Sequence, residues 1–319
     1  MPDVIKLKDL PANRIPEVLK PEFYFDFKTH PFAHEALFAM PGVKCVVTAV
    51  GKIKEYSDAW LAKTIGEKAK TAKRLGPTGA TLGAANVFAE EGVLFQPSAI
   101  IPPTRVVAPA SAGEGPGKTP GNIYLEKGAR AVGAAFYVDS GDIYVGAGTV
   151  IEPGVGIKGP CIIGPDCEVR QGAYFRGSII TGAKGTFRGE IKNAVLMDQA
   201  NFPHPSYVGD SLCGWKTHFG NQATTANLGI YYHVGGKGNV TVDIDGKRYD
   251  LGVYKLGIIM GDLSQVGCNS VSDPGTFLGP RTIVYQLSRI NKGFYGPDEV
   301  LKNKPIERGI IERSSFKPF

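Results

Sequence analysis

Six apolar residues recur at an interval of six: Val145, Ile151, Ile157, Ile163, Val169 and Phe175, with glycines in phase at 146, 148, 154, 164 and 172. Glycine and proline are also abundant, 42 and 23 of 319 residues, about a fifth of the chain where ordinary usage is roughly an eighth. These two observations predict a mainly β protein, a parallel β-helix of hexapeptide repeats, with a small N-terminal α/β segment before it. A period of six fits neither an amphipathic helix nor a lone alternating strand. It fits a short strand plus a turn, repeated, each aliphatic side chain entering a shared axis. Three such units close one triangular coil of about 18 residues, and stacked coils pair parallel strands.

Residues 1–85 read as the N-terminal α/β segment. VKCVVTAV, 43–50, suits a buried strand, and Ser57 and Asp58 suit the start of a helix through Trp60, Leu61, Ile65 and Leu75, ending at Gly76. Residues 86–122, rich in Pro, Gly and Ala, read as a linker. The β-helix is expected over 123–285. Its phase slips around 176–190 and resumes through Ile191, Phe202, Val208 and Phe219, then Val266, Leu278 and Val284. An excursion at about 229–254 contains IDGKRYD, whose Asp-Gly pair predicts a hairpin. Residues 286–319 read as a C-terminal tail.

The net charge of +6 is mild. It suits a solvated surface, or anionic ligands such as sugar phosphates and coenzyme A, and no nucleic-acid recognition motif is present. Cys45, Cys161, Cys167, Cys213 and Cys268 are odd in number and form no C-x-x-C pair, so reduced thiols of a cytoplasmic protein are expected. No apolar run is long enough for a membrane span. His30 and His34 have metal-ligand spacing only on a helix, which Pro31 opposes, and no metal is expected.

The strings GPCIIGPDCEVRQG, EIKNAVLMDQANFPHPSYVGDS, TTANL, GKRYDLGVYKLGIIMGD and VGCNS resemble the acetyltransferase half of bifunctional sugar-1-phosphate nucleotidylyltransferase/acetyltransferases. Bacterial N-acetylglucosamine-1-phosphate uridyltransferases and their archaeal relatives belong to this group. The resemblance covers roughly half the chain. It implies a left-handed β-helix, a homotrimer with active sites between subunits, acetyl-coenzyme A as co-substrate, and a place in UDP-N-acetylglucosamine biosynthesis. Carried over residue by residue, it makes His204 the catalytic base. Arg170 and Lys192 become the phosphate-holding cations, Tyr207 a substrate tyrosine, and Asn227 an asparagine near the acyl group. Cys268, in VGCNS, falls with the cofactor contacts.

Departures from the family pattern are specific. His218 replaces a substrate-binding asparagine, a longer excursion at 229–238 offsets Lys237 from the family's next lysine, and Val253 and Tyr254 stand where relatives carry two basic residues. The Gly-rich phosphate loop of the nucleotidylyltransferase domain has no match, and that domain is expected to be missing. GEGPGKT, 113–119, fails the phosphate-loop pattern at Ala112, Pro116 and Pro120.

Acetyl transfer to an amine requires a base near neutral pH, which histidine supplies. His204 lies between two prolines (FPHPS), which restrict its backbone. Arginine at 170 can grip two phosphate oxygens, and Lys192 acts as a point charge. The expected activity is N-acetylation of an amino-sugar phosphate such as glucosamine-1-phosphate. One alternative is a catalytically silent β-helix, a scaffold or regulatory protein that binds a sugar nucleotide. Another is a metal-dependent hydratase using His204, His218 and His233, but their spacings of 14 and 15 residues do not stack on an 18-residue coil.

Overall fold

The computed structural model describes residues 4–75, 85–101, 121–235, 238–303 and 311–315. Its centre is a parallel β-solenoid of about ten coils. Val150–Ile151, Gly156–Lys158 and Cys161–Ile163 make the three sides of one coil. Each pairs in parallel with its counterpart in the next: Ile151 faces Val169, Ile157 faces Phe175 and Cys161 faces Ile179. All six residues of the periodic ladder are buried in one core. The later members Ile191, Phe202, Val208, Phe219, Val266, Leu278 and Val284 join them. The fold is therefore the left-handed β-helix class that the hexads and the resemblance predict.

Three faces and three edges organise the site: Val150–Ile151 lies on the first face, Gly156–Lys158 on the second and Cys161–Ile163 on the third. The first face is an 11-stranded sheet: parallel strands run from Leu94–Gln96 through Glu299–Asn303, and the eleventh, Ile311–Ser315, caps them antiparallel. Glycine is required where coils approach closely at the edges. A Cβ on Gly146 would sit 2.5 Å from the backbone of Gly164 and Pro165, a separation no real Cβ shows. At the edge between the third and first faces, Asp166, Lys184, Gln199, Lys216 and Arg281 all adopt left-handed φ of 54–59° and stack in one column.

The solenoid extends past both ends of 123–285. Within the expected linker, Asn86–Ala89, Leu94–Gln96 and Ala99–Ile101 pair with Asn122–Leu125, Arg130–Val132 and Ala135–Tyr137. Their inward residues Val87, Phe95 and Ile100 are unevenly spaced, so no six-residue ladder marks them. GEGPGKT lies outside the described residues. Beyond 285, Arg289–Ile290, Gly293–Tyr295 and Glu299–Asn303 continue the coils.

The expected strand at 43–50 is instead the start of a helix, Val46–Lys68. Cys45 caps it together with Thr48, so it begins well before Ser57 and ends before Leu75. Its residues Val46, Val47, Ala49, Val50 and Ile53 are all buried, because the helix is packed between the N-terminal segment and the third face of the solenoid. On that face the outward residues Tyr124, Tyr144, Ile162, Ile180, Val195, Leu212, Ile259 and Phe277 form a second ladder, outside the prism. With the helix and residues from Leu7 to Phe32 they make a second core. The excursion is a hairpin, Thr241–Ile244 with Lys247–Asp250. It turns on Asp245 and Gly246, both at positive φ, and gains a third strand from Ile5–Lys6.

Candidate functional site

Residues 203–206 form the edge between the first and second faces. A bond from Gln222 N–H to the Pro205 carbonyl (2.9 Å) ties this edge to the next coil. Ser206 Oγ donates to the His204 carbonyl at 3.2 Å. The His204 ring stands exposed between its prolines. Arg170 lies two coils earlier on the same edge: its N–H meets Phe187 and that of Arg188 meets Phe202. Cys268 lies two coils later, exposed, beside Asn269, whose N–H bonds Asn221. Among the described residues, the N–H groups of Asn221 and Cys268 on this edge have no protein acceptor.

Tyr207 and Lys192 stand on the second face, where Glu190 faces Tyr207 and Lys192 faces Gly209. At the far edge of that face is a tight polar cluster. Asp210, 8% exposed and at φ 51°, accepts from Asn193 Nδ2 at 2.8 Å and from Asn227 Nδ2 at 2.6 Å. Asn227 Nδ2 also donates to the Tyr207 hydroxyl at 3.2 Å. Since a carboxylate only accepts, Asp210 fixes the Asn227 amide so that its oxygen stays free as an acceptor. Tyr207 accepts at its oxygen and so keeps its O–H to donate. Burial raises its pKa, and the Asp210 and Glu190 carboxylates add to the rise, so the phenol is protonated at neutral pH. Glycine at 209 is needed here, because a Cβ would lie 2.5 Å from the Tyr207 hydroxyl.

His218 is half-buried on the first face, in the strand His218–Phe219. Burial lowers its pKa and the nearby His204 pushes the same way, against a hydrogen bond that its ring donates to the Asn201 carbonyl. The structure thus brings Tyr207 and Asn227 together and sets His204 electrostatically beside His218. Arg170 is already paired, Nη2 to Glu168 Oε2 at 2.8 Å. Val253 and Tyr254 close the excursion. Tyr254 stacks on Tyr232 at 5.2 Å, beside a cleft of about 640 Å³ that Ala226 and Leu228 also line. Lys237 lies outside the described residues. Asp210 and Asn193 carried no assigned role in the sequence. Asp210 stands within the quoted PHPSYVGDS string, but its left-handed backbone and two amide partners appear only when coils stack.

Residues 142–177 match the family model described as bacterial transferase hexapeptide (six repeats). A bifunctional sugar-1-phosphate nucleotidylyltransferase/acetyltransferase of Sulfurisphaera tokodaii is 31% identical over 162 residues, 44% of this chain and 39% of that protein. The bifunctional protein GlmU of Methanocaldococcus jannaschii is 34% identical over 141 residues, 41% and 33% respectively. That of Listeria monocytogenes is 27% identical over 200 residues, 52% and 38%. This chain spans under two-fifths of the length of these relatives. The resemblance read from the sequence therefore holds: the chain carries a hexapeptide-repeat domain, and its relatives are nucleotidylyltransferase/acetyltransferases. The solved structure of the polysialic acid O-acetyltransferase OatWY overlaps 72% of this chain at 12% identity with a TM-score of 0.26, too poor a superposition to compare sites.

Proposed function

We propose that this protein transfers an acetyl group from acetyl-coenzyme A to the amine of an amino-sugar phosphate such as glucosamine-1-phosphate. The observation that carries the reading is the exposed His204 between prolines on one edge of the second face, with the Tyr207–Asn227–Asp210 network across that face. His204 removes a proton as the amine nitrogen attacks the thioester carbonyl. The C–N bond forms, the C–S bond breaks, and the thiolate leaves with a proton returned from the imidazole. The unpartnered N–H groups of Asn221 and Cys268 are suited to the developing oxyanion. Tyr207 donates to a sugar oxygen, and the free oxygen of Asn227 accepts from the amine or the pantetheine amide. Lys192 on the same face meets the phosphate; Arg170 must first exchange Glu168 for it. His218, kept neutral by burial, is a contact and not a second base. No metal takes part in this scheme.

The test is thiol release from acetyl-coenzyme A over a panel of amino-sugar phosphates. Wild-type protein turns over on at least one, and His204→Ala loses roughly 10²–10⁴-fold in rate with unchanged thermal stability. Full activity in His204→Ala removes the mechanism. No turnover on any member of the panel favours the silent, sugar-nucleotide-binding scaffold.

We also propose a closed homotrimer in the cytoplasm. Among the described residues, the N-terminal segment seals the third face and builds no core on the other two. A neighbour set against the shared edge of those two faces would enclose His204. Sedimentation at the mass of a single chain, at micromolar concentration, contradicts it. No helix among the described residues is long and apolar enough to cross a membrane.

A further inference from the structure

The first face carries a groove of about 640 Å³ lined by Lys184, Thr186, Gln199, Asn201, Lys216, His218 and Gln265. Two columns of the solenoid build it. Lys184, Gln199 and Lys216 occupy successive left-handed positions on the edge between the third and first faces, each N–H bonded to the coil before. Thr186, Asn201, His218 and Gln265 are successive outward positions of the adjoining strands. With coils about 4.8 Å apart, the two lysine backbones are separated by roughly 10 Å, close enough for both long side chains to converge on one ligand above Gln199.

What distinguishes these lysines is the lack of an ion pair: Asp166, one coil before Lys184 in the same column, does not reach it. Further along the same column Arg281 is gripped in bidentate fashion by Asp298 of the next coil. Among the described residues, Lys184 has no carboxylate in ion-pair range, and Lys216 has only the ring face of Trp215 at 5.5 Å. No acidic residue lines the groove. The side chains of Thr186, Gln199, Asn201 and Gln265 form no hydrogen bond within the described protein. A groove with two unpaired cations and uncommitted polar side chains favours an anion.

We propose that this groove binds a phosphate group, held by Lys184 and Lys216, on a ligand that reaches His204 past His218. It is separate from Arg170 and Lys192, since Arg170 is on the opposite edge of the first face and Lys192 is on the second. The phosphate can belong to the coenzyme or to the acceptor, and binding measurements separate the two sources. Calorimetry would compare wild type with the double variant Lys184→Gln/Lys216→Gln, titrating coenzyme A in one arm and glucosamine-1-phosphate in the other. A loss of about tenfold or more in affinity, with unchanged melting temperature, is expected for one of them. A loss for coenzyme A assigns the groove to the coenzyme, and a loss for the sugar phosphate assigns it to the acceptor. Equal affinity of wild type and variant in both arms overturns the proposal, as does failure of the wild type to bind either. Because the readout is binding, a protein that binds but does not turn over leaves the groove standing while the acetyltransferase reading falls.

Discussion

His34 shows how a single buried side chain can set stability. It is 5% exposed, with Nδ1 3.2 Å from the Tyr56 hydroxyl and Phe32 and Trp60 at its ring. Burial lowers its pKa from 6.5 to about 4. The unfolded chain therefore binds a proton that the folded one refuses between those values. The contribution is fully present above pH 6.5, declines as pH falls, and is gone below pH 4; it amounts to about 3 kcal/mol. Melting temperature measured across that window should fall more steeply for wild type than for His34→Phe. Parallel curves would show that His34 is not the group responsible. At the active-site candidate the sequence was legible by string: PHPSYVGDS pointed to His204 and Tyr207. It could not reveal that Glu168 occupies Arg170, because an ion pair two residues apart on an edge depends on rotamers and not on spacing.

At the scale of elements, the six-residue period was readable because every inward position of a coil meets the same dry axis. The outward ladder Tyr144, Ile162, Ile180, Val195 and Leu212 escaped notice for the opposite reason. An outward position ordinarily faces water, and only the covering helix Val46–Lys68 makes these apolar residues necessary. The start of that helix reads as a strand in the sequence because it is buried on more than one side, which erases the amphipathic stripe that marks a surface helix. Two substitutions separate the layers. Ile157→Asp puts an unpaired charge on the inner axis, costs several kcal/mol, and should unfold the protein. Ile180→Asp, on the outer ladder under the helix, should release the N-terminal segment to proteolysis while the solenoid keeps its β-sheet circular dichroism. Wild-type thermal stability in the first, or wild-type protease resistance in the second, would show that side chain to be misassigned.

Among the described residues, the N-terminal segment covers one face of the prism, the third. The second face carries Lys192 and Tyr207, the first carries His218 and the lysine groove, and His204 stands on the edge they share. On the proposed reading, His204 on that edge accepts the proton while side chains on either face hold the amino-sugar phosphate and the coenzyme. The excursion adds an aromatic wall, Tyr232 stacked on Tyr254 at 5.2 Å, beside the cleft that Ala226 and Leu228 line. The direct measurement is carbon NMR of a reaction containing acetyl-coenzyme A labelled with carbon-13 at the carbonyl, glucosamine-1-phosphate labelled with nitrogen-15, and the purified protein. An amide carbonyl signal, coupled to the sugar nitrogen and absent with His204→Ala, is the predicted result. A thioester signal that persists unchanged, or an ester carbonyl in place of the amide, would contradict N-acetyl transfer.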